Sequence, residues 1–87
     1  LKKVYVGKGV HYFPKPNIAE FKIEAYDIKI GDKILITGPS TGAKELILEE
    51  MYVNDVNSEK ATKGDSCTFI VPFRIRLSDK MYKIVES

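Results

Sequence analysis

A glycine followed by an aspartate, set just before a β-branched run, constrains this chain more than any other feature. The first copy lies in Ile28-Lys29-Ile30-Gly31-Asp32-Lys33-Ile34-Leu35-Ile36-Thr37-Gly38, closed by a second glycine. Glycine takes positive φ without steric cost, and aspartate bonds the backbone two residues on, so the chain reverses cheaply there. The second copy, Lys63-Gly64-Asp65, precedes Cys67-Thr68-Phe69-Ile70-Val71, and Ser78-Asp79 before Met81-Tyr82-Lys83-Ile84-Val85 is a looser version. Short apolar runs parted by such turns predict a small all-β barrel or sandwich. Gly31, Asp32, Gly38, Gly42, Gly64 and Asp65 are the turn residues this reading rests on.

The runs between the turns read as strands. Residues 2–13 form a long first strand with Val4, Val6, Val10 and Tyr12 on one face. Gly7 and Gly9 interrupt it, which points to a bulge or a close backbone approach. Pro14 and Pro16 end it, because neither donates to a ladder. Ala19, Phe21, Ile23 and Ala25 then alternate with Glu20, Lys22 and Glu24, a half-buried strand with a charged outer face. Residues 34–37 form a third strand before the loop at 38–42.

Residues 43–53 carry two patterns. Ala43, Lys44, Glu45, Leu46 and Leu48 favour a helix that Thr41 would cap. Ile47, Met51 and Val53 favour a strand, and Val53-Asn54-Asp55-Val56 reads as a two-residue hairpin. In a chain otherwise full of strands, propensity is a weak guide and the strand reading is preferred. Residues 57–62 are expected as a polar loop and residues 67–71 as a strand ended by Pro72. Residues 74–77 are expected to continue the alternation, and residues 80–85 to close the sheet. The result is one antiparallel barrel of about six strands over residues 1–87.

Composition narrows the function classes. A chain of 87 residues buries only about 60–65% of its unfolded surface, which leaves little interior for an enclosed active site. The net charge of +2 neither requires nor excludes an RNA or acidic partner. Cys67 is the one cysteine, so there is no internal disulfide, and a reducing, cytoplasmic setting is expected. No apolar run approaches the ~20 residues of a membrane-spanning helix, so no membrane partner is expected. The chain starts at Leu1 rather than Met, which suggests part of a longer protein.

No catalytic constellation is expected. His11 is the one histidine, and nothing in the spacing brings it to Cys67 or Ser40. One histidine with scattered carboxylates makes no metal cluster, and neither metal nor cofactor is expected. Gly38-Pro39-Ser40-Thr41-Gly42 has the outline of a phosphate-cradling loop, but Ala43 and Lys44 follow where Lys and Ser/Thr are required. For binding, His11, Tyr12, Phe13 and Lys15 join aromatics to a rigid basic turn that could stack bases or meet a partner. Arg74 and Arg76 are expected on one strand face, both forked donors for phosphates or carboxylates. A core Tyr12, a lid-like Phe13 and a solvated arginine face account for the same residues without a ligand.

The run Ile30 to Gly38, with the later Ala61-Thr62-Lys63-Gly64-Asp65 turn, resembles the barrel of translation GTPases such as the second domain of elongation factor Tu. A closer resemblance spans nearly the whole chain. Val6-Gly7-Lys8-Gly9-Val10-His11-Tyr12-Phe13-Pro14-Lys15, then Ile30-Gly31-Asp32 through Thr41-Gly42, and finally Leu77-Ser78-Asp79-Lys80-Met81-Tyr82-Lys83-Ile84-Val85, resemble the C-terminal domain of the U32 family. These are collagenase-like peptidases and proteins of tRNA and ribosomal RNA hydroxylation. In that family activity is attributed to a larger N-terminal domain, so the resemblance implies an accessory barrel without catalytic residues. Such a barrel would position substrate or partner against the N-terminal catalytic domain of the same polypeptide. Two alternatives stay open: a tRNA- or rRNA-binding barrel, and a structural docking or dimerisation module.

Overall fold

In a computed structural model, which describes residues 1–86, the chain forms ten strands and no helix. They are β1 (Lys2–Phe13), β2 (Ile18–Ile23), β3 (Asp27–Lys29), β4 (Lys33–Gly38), β5 (Gly42–Ile47), β6 (Met51–Val53), β7 (Val56–Ser58), β8 (Lys60–Thr62), β9 (Ser66–Ile70) and β10 (Lys80–Val85). Six have five or more residues, in keeping with the expected number, and the other four have three each. Every ladder is antiparallel.

Eight strands form one sheet in the order β5-β4-β10-β1-β2-β9-β6-β7, and β3 pairs with β8 separately. The connection from β5 to β6 shows that the large sheet curls. β5 ends at Ile47 and β6 begins at Met51, so four peptide links span at most about 15 Å. Six strand spacings laid flat would separate β5 from β6 by about 29 Å. The two ends of the sheet therefore approach each other, as in a barrel wall. Among the described residues no ladder joins them; the β4–β5 pairing continues one residue past Ile47, to Leu48. Gly31 N–H donates to the Leu48 carbonyl at 2.7 Å, and Leu48 N–H donates to the Asp32 carbonyl at 2.9 Å.

One apolar core fills the inside. The inward alternation of β2 supplies Ala19, Phe21 and Ile23, and facing strands supply Ile34, Ile36 and Met81, all buried. The Phe21 and Phe69 rings stack at 5.4 Å. Side chains of this size stabilise the fold by roughly 1.5–3 kcal/mol each when fully buried.

The turns repeat one design three times. In each, the aspartate N–H donates to the carbonyl three residues back, and its carboxylate accepts from that residue's N–H. The pairs are Lys29 with Asp32, Thr62 with Asp65 and Arg76 with Asp79, each N–H to carboxylate at 2.9 Å. The aspartate thus clamps the turn behind it rather than the backbone ahead. The position before it has positive φ every time: Gly31 at 97°, Gly64 at 97° and Ser78 at 71°.

Several local expectations need correction. The preferred strand reading of residues 43–53 holds, but as two strands, β5 and β6, parted by residues 48–50; Thr41 caps no helix and donates to the Asp79 carboxylate. Residues 57–62 are not a loop: they hold the end of β7 and all of β8. Residues 74–77 form no strand, because Arg76 spends its backbone groups on the Asp79 turn. Arg74 and Arg76 accordingly share no strand face. β1 is bulged twice, at Val6 opposite β10 and at Val10 opposite β2. The second bulge breaks the alternation, which leaves Val10 exposed rather than beside Val6 in the core. β10 does not lie at the sheet's end but between β4 and β1.

Candidate functional site

The β1–β2 hairpin divides the residues singled out from the sequence. Phe13, Ile18 and Ile70 stand opposite one another across β1, β2 and β9, as do His11, Glu20, Thr68 and Tyr52 across β1, β2, β9 and β6. Both rows face outward, since the neighbouring Ala19, Phe21, Cys67 and Phe69 are buried. The His11 and Phe13 rings meet at 4.3 Å on this outer face. Tyr12 points the other way and packs against the core. Its hydroxyl donates to the Asn17 side chain at 3.1 Å, and the Arg74 guanidinium lies 5.7 Å from its ring centre. Lys15 is exposed in the turn between the strands, and Arg76 is exposed beside Asp79. The structure thus unites His11 with Phe13 and Tyr12 with Arg74, and it does not gather the six onto one face.

Nucleophilic chemistry finds no partner here. Cys67 faces the core while His11 faces outward, and burial pushes the Cys67 thiol up to about 12. A thiol held protonated at neutral pH is not a nucleophile. Among the described residues no three His, Cys, Asp or Glu side chains gather to hold a metal. The 38–42 loop folds around the carboxylate of Asp79, which is 2% exposed and accepts bonds from Thr41 Oγ1 and Arg76 N–H. A phosphate placed there would meet a like charge.

The outer face instead presents apolar residues that alternation would make polar. Ile70 is 66% exposed, Ile47 52% and Tyr52 41%. They border two adjoining grooves that share Ile18, Tyr52 and Thr68. One, of about 590 Å³, runs from Phe13 and Pro16 to Asn54 and Asp55. The other, of about 670 Å³, lies where the sheet's ends approach, between Ile47 and Pro72. Sequence reasoning missed Ile18, Ile70, Tyr52 and Ile47. The available signal was Ile70, an isoleucine on the face that Thr68 marks as outward. A second outward feature is a row of cations: Lys80, Lys8 and Lys22 stand side by side on β10, β1 and β2, all exposed.

No protein-family model matches the chain. Its fold superposes on the crystal structure of the C-terminal domain of a Geobacillus thermoleovorans protein described as a U32 peptidase, with a TM-score of 0.86. That match covers 93% of this chain and 92% of the other, at 19% identity. Over 82 residues the chain is also 45% identical to a protein named Collagenase from Porphyromonas gingivalis W83, a match covering 94% of the chain. The chain has the fold of that U32 C-terminal domain, and its sequence is similar to that of the collagenase. An uncharacterized protease of Methanocaldococcus jannaschii is 33% identical to this chain over 86 residues, 99% of the chain. The domain spans about a fifth of each relative, 20% of the collagenase and 21% of the archaeal protease. Among the described residues no helix is long and apolar enough to cross a membrane.

Proposed function

We propose that this chain is a non-catalytic accessory module of a U32-type peptidase, acting in the cytoplasm by positioning substrate or partner for an N-terminal catalytic domain of the same polypeptide. The observation that carries this reading is the apolar strip formed by exposed Phe13, Ile70 and Tyr52 with half-buried Ile18 beside the two grooves. Exposed apolar patches that border grooves are characteristic of contact surfaces. A collagenase and a protease among the relatives support a peptidase as the larger context. The test has two arms. The chain alone should leave gelatin, casein and collagen peptides uncut. Added to the remainder of its protein, it should bind, and Ile70→Ser should weaken that binding. Cleavage by the chain alone that disappears in Cys67→Ala or His11→Ala would overturn the reading.

One observation favours a second reading, contact with an RNA backbone. Like charges directly opposite on a sheet are destabilising, so the Lys80-Lys8-Lys22 row has a local cost that a bound polyanion would offset. Of the three, only Lys8 reaches a carboxylate among the described residues, Glu24 at 3.8 Å.

A further inference from the structure

The grooves have a charge sign opposite to that of the molecule. The chain carries a net +2 with fourteen lysines and arginines, yet no lysine, arginine or histidine lines either groove. Four carboxylates do: Glu20 and Asp55 in the first groove, Glu49 and Glu50 in the second. None of the four is ion-paired among the described residues, although Lys8, Lys29, Lys33, Lys60 and Lys83 all pair with carboxylates elsewhere. His11 stands opposite Glu20 on the same face but lies against the Phe13 ring. Glu50 accepts only a long bond of 3.4 Å from the Asn57 amide.

We propose that the two adjoining grooves bind an extended peptide segment in which basic side chains alternate with apolar ones. This inference deepens the accessory-module reading and rests on it. Ile18, Tyr52 and Ile70 form an apolar floor shared by or bordering both grooves, with Glu20 and Asp55 lining the first groove and Glu49 and Glu50 the second. An extended chain sends successive side chains to opposite sides, so apolar residues meet the floor while lysines or arginines reach the rim. Volumes of about 590 and 670 Å³ lie within the range of recognition pockets and admit several side chains in a row. A nucleic acid fits poorly, because its phosphates would face four carboxylates. Two-fold pairing with a second copy of this chain fits poorly too, since it would set one acidic rim against the other.

The test uses the 87-residue chain, isotope-labelled, with three synthetic peptides built on Lys-Leu-Pro, Ser-Leu-Pro and Glu-Leu-Pro repeats. Proline keeps all three extended and prevents them from aggregating as strands. The lysine peptide should bind tightest and the glutamate peptide weakest, with amide shifts at Glu20, Glu49, Tyr52, Thr68 and Ile70. Glu49→Gln/Glu50→Gln should lower affinity for the lysine peptide by about three- to tenfold, the scale of two exposed ion pairs. Its affinity for the serine peptide should stay unchanged. Equal binding of the lysine and glutamate peptides, shifts confined to another face, or tRNA shifting these same amides would overturn the proposal. If the double variant still docks normally onto the remainder of the protein while Ile70→Ser does not, the accessory reading stands and the basic-segment inference falls. If neither variant affects docking and the peptide preference holds, the reverse applies.

Discussion

Glycines that look alike in the sequence meet different demands in the fold. Gly31 sits at φ 97° with open space where a Cβ would project, so Gly31→Ala should cost only about 1 kcal/mol of backbone strain. A Cβ at Gly7 would lie 1.9 Å from the Lys22 carbonyl oxygen, and one at Gly38 would overlap the Asp79 carboxylate. Neither neighbour is free to move, so Gly7→Ala and Gly38→Ala should each cost about 3 kcal/mol or more. Urea unfolding of the three variants checks that order. Ser78 holds positive φ without being glycine, and Ser78→Gly should stabilise by about 0.5–1 kcal/mol in the same assay. Cys67, buried and with its thiol raised to about 12, should react with a thiol reagent only as fast as the chain unfolds. Labelling in the folded state at the rate of a free thiol would contradict that burial. The sequence reveals Gly31 and Gly64 because a turn residue announces itself beside its aspartate. Gly38 is legible only as a turn residue, since its constraint comes from a carboxylate forty-one positions away.

Strands with a clean period of two are the ones the sequence predicts well. β2 and β9 alternate in burial, and with β4 and β10 they fall where the sequence places them. The bulged β1 also spans the residues expected of it and turns Tyr12 inward with Val6, but the unpaired Val10 leaves that row and is exposed. Residues 74–77 alternate as well as β2 does, yet the Asp79 clamp claims the backbone that a ladder would need. β5 and β6 separate two signals that overlap in the sequence, with residues 48–50 between them. The outer strip was hidden for a related reason: alternation tells which residues face out, but not which outward residues from β1, β2, β9 and β6 become neighbours. One carboxylate links three elements. Asp27 on β3 accepts from Lys83 of β10 at 2.8 Å and pairs with Lys60 of β8 at 3.3 Å. These hydrogen bonds, Lys83 foremost, hold its carboxyl below the usual carboxylate range. A depressed folded value gives stability that is present above the unfolded value, near 3.9, and lost as pH falls through the folded one. Asp27→Asn should therefore flatten the loss of stability below about pH 4. A thermal melting series from pH 6 to 2 measures it, and an unchanged slope would mean that the contact contributes nothing.

At the scale of the whole molecule, two regions carry opposite character: a lysine row across β10, β1 and β2, and an acidic apolar surface that runs from the β1–β2 hairpin end over β9 to β6. Any binding of tRNA should run through the first. Three phosphate contacts give a log-log salt slope of about −2 for single-stranded segments, and Lys8→Ala/Lys22→Ala should flatten it by about 1.4. Arg74→Ala/Arg76→Ala, which lie outside that row of strand residues, should leave the slope unchanged. Fluorescence anisotropy across a salt series reads both, and a slope sensitive only to the arginines would return the RNA contact to the turn residues. The position of β10 has a consequence of another kind. It is the last of the ten strands to be synthesised, and it joins β4 and β5 on one side to β1, β2, β9, β6 and β7 on the other. A nascent chain that stops before Lys80 holds two sheet fragments with no ladder between them, each with an apolar face turned to water. Its folding therefore waits for the ribosome to deliver the final strand, and a protease that trims those few residues undoes the whole domain at one stroke.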